Sequence, residues 1–206
     1  MRRRTAKSDA TGKKRHCEYK PRRFIEHVRT LPEIRSCANR EELIRHCDEV
    51  REEILEFIGE IPDDYLDTPA FPDGWTAARN VRHVASSARL FSRWVGAPAW
   101  LLKLRGRVKG PVKPIEEQIA TNRPANYDYG SYPNPKPVQA GLREKIVKEF
   151  NESVDKLKKS IMTRTDEELL TFKGAFGGMN LMVFTLFTLK HMAHHLDVVR
   201  QRLESR

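Results

Sequence analysis

Apolar side chains recur at steps of three, four and seven in four stretches of the chain, and each stretch has its own start and stop signals. Asn39 is suited to cap a helix, Glu41 and Glu42 follow in its first turn, and Leu43, Val50, Ile54, Leu55 and Ile58 continue a stripe that must end before Pro62. A second helix is predicted from about Thr76 to Val95, after the turn Phe71-Pro72-Asp73-Gly74 and before Gly96 and Pro98. At about 100° per residue, Arg79, Arg82, Ser86, Arg89 and Arg93 fall within an arc of about 80°, the predicted solvent side. His83 borders that arc beside Leu90 and Trp94 and can point inward.

The third helix, from about Val138 to Thr163, aligns Leu142, Ile146, Phe150, Val154, Leu157 and Ile161. The fourth starts after Gly174-Ala175-Phe176-Gly177-Gly178, capped by Asn180, and runs to about Glu204; Phe184, Phe187, Val198 and Val199 share its apolar stripe with His191 and His195. Residues 97–140 hold seven prolines and the run Asn126-Tyr127-Asp128-Tyr129-Gly130-Ser131-Tyr132, the composition of a long loop with one short helix near Ile115–Ala120. Such a loop is a candidate lid or a variable insertion. No period-two alternation competes with these helices. The fold class is therefore all-α, an antiparallel four-helix bundle over residues 39–206 with a long proline-rich loop between helices 2 and 3, preceded by a basic, irregular extension over 1–38.

Charge changes the picture less than its total suggests. Of a net +10, residues 1–23 carry +8, with ten basic side chains against Asp9 and Glu18, so the remainder of the chain is close to neutral. A basic tail without a basic, aromatic-studded face on the body is a solvated arm, and nucleic acid is not an expected partner. No stretch of about 18 apolar residues is present and the arginines near Met1 precede no apolar run, so neither a membrane partner nor an export signal is expected. Cytoplasmic location is the expectation. Cys17, Cys37 and Cys47 match neither a zinc ribbon nor a disulfide framework and are read as reduced thiols without a role.

The histidines carry the candidate chemistry. His191 and His195 lie one turn apart on an inward face, where two imidazoles can converge on a metal at about 2.0–2.1 Å; His194 turns away, toward Lys190 and Gln201. His83 on the second helix is the natural third ligand, and His16, His27 and His46 are weaker candidates. Three imidazoles leave an open position for water or substrate, and imidazole suits zinc, nickel, iron and copper alike. Trp75 is expected to pack at the start of the second helix and fix the path of the chain there.

Two motifs resemble the DinB/YfiT-like superfamily of four-helix bundles. Gly74-Trp75-Thr76-Ala77-Ala78-Arg79-Asn80-Val81-Arg82-His83 is similar to that family's tryptophan followed eight positions later by its first metal-binding histidine. His191-x-x-x-His195 resembles its second and third ligands, and the order of elements agrees over about residues 39–204. The resemblance implies a bundle that binds a divalent metal ion, zinc or nickel first, through His83, His191 and His195, in some cases as a homodimer. Some relatives are thiol transferases that use a low-molecular-weight thiol such as bacillithiol or mycothiol. Where many relatives have Arg-Gly-Gln after the last histidine, this chain has Leu196-Asp197-Val198. The expected function is that of a metal-dependent thiol S-transferase acting on a small-molecule substrate, activating a thiol or water at the three histidines; the alternatives are a metal-dependent hydrolase and a non-catalytic metal- or ligand-binding stress protein. Tyr127, Tyr129 and Tyr132 are candidates to shape the substrate pocket, and no general base is assigned.

Overall fold

The computed structural model describes residues 31–69, 74–119, 139–176 and 178–204. The basic arm, the three loop tyrosines and most of the turn before the second helix lie outside these residues. Among the described residues the chain forms helices α1 (Arg40–Glu60), α2 (Asp63–Leu66), α3 (Ala77–Val95), α4 (Ala99–Arg105), a 3-10 turn (Ile115–Glu117), α5 (Leu142–Met162), α6 (Asp166–Thr171) and α7 (Leu181–Glu204). The four long helices are the four that the apolar periodicity predicts, and the all-α bundle is observed.

The predicted caps Asn39 and Asn180 act through their side chains, and Thr76, expected only as the start of its helix, caps it as well. Asn39 Oδ1 accepts the Glu42 N–H at 2.9 Å, Thr76 Oγ1 accepts that of Arg79 at 3.0 Å, and Asn180 Oδ1 accepts that of Val183 at 2.8 Å. Helix α5 begins four residues later than expected because Gly141, at φ 74°, takes a left-handed conformation that few other residues tolerate. Helix α7 is apolar on nearly every side in its first half. Its buried Thr185 and Thr188 hydroxyls are satisfied by donating to Leu181 O at 2.8 Å and Phe184 O at 3.0 Å, so this helix forms the interior of the bundle.

Cross-helix pairs set the directions. Asp155 lies opposite Arg51 and Lys158 opposite Asp48, so α1 and α5 run antiparallel. Asn80 faces His195 and Phe91 faces Phe184, so α3 and α7 do too. Glu149 pairs with Arg82 and Glu152 with Arg89, so α3 and α5 run parallel, and α1 and α7 must be parallel to close the ring. The long connection between α3 and α5 makes this possible, because the end of α3 and the start of α5 lie at opposite ends of the bundle. Two members of the predicted solvent arc, Arg82 and Arg89, consequently lean over α5, while Arg79, Ser86 and Arg93 are exposed. At the far end α3 and α5 touch closely: a Cβ on Gly96 would lie 2.8 Å from Ser160 Oγ. None of the described helices is long and apolar enough to cross a membrane.

Candidate metal centre

His83 projects from the middle of α3, and His191 and His195 face it from successive turns of α7. The antiparallel α3–α7 packing brings all three rings together: centroids are 4.5 Å apart for His83 and His195, 4.5 Å for His191 and His195, and 5.3 Å for His83 and His191. The two Nε2 atoms of His83 and His191 approach to 3.3 Å, and each ring offers one nitrogen within 4.8 Å of the other two. Two nitrogens bound tetrahedrally at about 2.0–2.1 Å would themselves lie about 3.3 Å apart. The donor set therefore fits a divalent ion without gross rearrangement.

Electrostatics favours the neutral imidazoles that a metal requires. Burial pushes His83 below the ordinary histidine range. Burial, reinforced by the neighbouring His83 and His194, pushes His191 down to about 4. At neutral pH these rings carry free lone pairs and no proton has to be displaced from them.

Asn80 supports His195 from behind. Its Nδ2 donates to Thr76 O at 3.0 Å, which turns Oδ1 toward His195 Nδ1 at 3.2 Å. An Nδ1–H bonded to that oxygen fixes the ring's orientation and leaves Nε2 as the ligating nitrogen. Asn80 is only 5 % exposed, which favours its keeping these two partners. Trp75 also belongs to the site. Its ring stacks on His195 at 5.9 Å and 11°, meets His83 edge-on at 4.9 Å, and is covered by the Arg79 guanidinium at 4.8 Å. Phe187 lies parallel to His191 at 6.4 Å. The expectation that Trp75 merely fixes the start of its helix therefore understates it: it is a wall of the cluster.

The weaker candidates are resolved where they can be seen. His46 is buried in α1 with Nε2 accepting the Arg35 N–H at 3.3 Å and Nδ1 against Glu49 at 3.2 Å, a structural histidine with both nitrogens in use. His194 sits off the cluster in a separate cleft beside Lys190 and Asp197. His16, His27 and Cys17 lie outside the described residues. Cys37 and Cys47 are free thiols that burial pushes up to about 11 and about 12, so both stay protonated at neutral pH. Neither Asn80 nor the Trp75 contact was found from the sequence. The available signal was an amide three residues before His83, sharing an inward face with Ala77 and Val84.

The fold and site together define a class of helical bundles in which facing helices bring three imidazoles within ligating distance, an arrangement that could hold a metal ion. The model of the DinB superfamily matches residues 46–199, about three quarters of the chain, and the chain belongs to that superfamily. Comparison with curated proteins and with solved structures found no match.

Proposed function

We propose that the chain is a metal-dependent transferase in which His83, His191 and His195 hold one divalent ion, zinc or nickel, and a low-molecular-weight thiol is the co-substrate. The observation that carries this reading is the convergence of three imidazoles, two of their nitrogens already at the spacing that an ion would impose. Bound there, such an ion would acidify a thiol or a water placed in its remaining position. The chain's own residues do the rest. Asn80 fixes the ligating face of His195, while Trp75 and Phe187 flank the cluster with apolar surface and keep bulk water from its sides.

The departure at Leu196-Asp197-Val198 does not disturb these roles. Leu196 is buried in the core, and Asp197 is engaged by Arg200 at 2.7 Å and Gln201 at 2.7 Å along the helix.

The test is metal content per chain by mass spectrometry on untagged protein, wild type against His83→Ala and His195→Ala, followed by turnover with thiols and an electrophile. Near-stoichiometric metal that both variants lose, with turnover dependent on both metal and thiol, is the expected result. Turnover without thiol would replace the transferase by a hydrolase, and bound metal without turnover would leave a binding protein. Failure to take up metal even on reconstitution would overturn the reading entirely.

A further inference from the structure

At the end of the bundle about 20 Å along α3 from His83, α3 and α5 finish side by side, and the start of α4 adjoins them. A cavity of about 620 Å3 lies between the three, and its charged lining is wholly cationic: Arg89, Arg93, Lys156 and Lys159, with no carboxylate. Arg89 is held by Glu152 at 3.2 Å, whereas Arg93, Lys156 and Lys159 have no acidic partner among the described residues. Cations at helix C-termini complement the dipole, and that alone would account for Arg93 and Lys159. It does not account for α4.

Helix α4 is amphipathic with its larger apolar face turned outward. Leu102 is buried and pins the helix to the core, while Trp100, Leu101 and Leu104 are 64 %, 38 % and 78 % exposed. At about 100° per residue these three share one arc, and Lys103 and Arg105 stand on either side of it. Leu101 and Pro98 also line the cavity, so the apolar face and the cationic cavity form one continuous surface. From Ala97 to Ile115 the chain has five basic residues and no acidic one.

We infer that this end of the protein docks on an anionic bilayer surface, Trp100, Leu101 and Leu104 entering the headgroup boundary while Arg93, Lys156 and Lys159 meet lipid phosphates. Exposed Trp and Leu flanked by Lys and Arg is the pattern of an interfacial helix. A second copy on this face would set its unpaired cations against themselves. Nucleic acid would use the cations but leave Leu104 and Leu101 in water. That no described helix is long and apolar enough to span a membrane does not bear on a peripheral contact, so the expectation of no membrane partner concerns spanning alone. The inference is independent of the metal reading.

The test is co-sedimentation of the full chain with vesicles of phosphatidylcholine, alone and doped with phosphatidylglycerol. The expected result is binding to the doped vesicles only, weakened by salt. Each cation removed should lower the partition about fivefold, so Lys156→Gln with Lys159→Gln lowers it about 25-fold. Leu104→Ser should weaken it severalfold, and lipids brominated near the headgroup should quench the emission that Trp100→Phe removes. These side chains are exposed, and unchanged thermal midpoints would confirm that the variants fold. Undiminished binding by the lysine and leucine variants would assign it to the basic arm at residues 2–23 and overturn the inference. So would equal binding to both vesicle types, no binding, or a dimer that Leu104→Ser dissolves without any vesicle binding.

Discussion

Around His46, in α1, a backbone N–H and a carboxylate occupy the two ring nitrogens, and the ring is 2 % exposed. Around His191, in α7, the Nε2 atom meets another imidazole Nε2 at 3.3 Å, and the ring is only half buried. Both histidines lie on inward helix faces. The deeper one is the structural one, because burial with satisfied partners is how a core accommodates a polar ring. The shallower one meets another imidazole nitrogen, where one ring must donate to the other or a cation must lie between them, and this is a geometry that could hold a metal ion.

The sharpest way to break this contrast is His191→Ala, which should lower metal affinity more than about 100-fold, since even outer partners of a ligand are worth 10–100-fold; titration calorimetry on the apo protein measures it. Asn80→Ala comes next, with a loss of about 10–100-fold and unchanged stoichiometry, because His195 remains but is no longer oriented. His46→Ala should leave metal affinity untouched and cost about 1–3 kcal/mol of stability in urea unfolding, since it strips the Arg35 N–H of its acceptor.

A further test is in pH. His191 in the folded apo protein stays neutral down to about 4, while in the unfolded chain it takes up a proton near its ordinary value of 6.5. The unfolded state therefore binds more protons between those values, so this contribution to stability is present above about 6.5 and lost as pH falls toward 4. Urea midpoints across that window should fall less steeply for His191→Gln than for the wild type, and equal slopes would mean that His191 is not the group responsible.

Much of this was legible in the residues. Asn39 and Asn180 announce their helices because a cap acts on an N–H two or three residues away, a distance that sequence preserves. That His83, His191 and His195 come together was legible in part: periodicity places two of them on one face, and the resemblance to the superfamily's motifs singled out the third. What could not be read depends on contacts across the chain. His46 was weighed as a possible ligand because its acceptor role involves Arg35, eleven residues earlier in an irregular segment. The parallel course of α3 and α5 escaped because direction is decided by the path of a long connection, not by either helix. Trp75 was understated because the distance between its ring and His195 is set only when α7 docks.

The circular order of the helices has a consequence for how the chain is born. α1 and α3 sit diagonally, as do α5 and α7, so no long helix of the first half shares a substantial interface with the other long helix of that half. Every major interface joins the N-terminal half to the C-terminal half. During synthesis α1 and α3 must therefore wait, with their apolar stripes uncovered, until α5 emerges, and the nucleus of folding is non-local from the outset. Two fragments divided between α4 and α5 should each remain unfolded alone and regain helicity cooperatively when mixed.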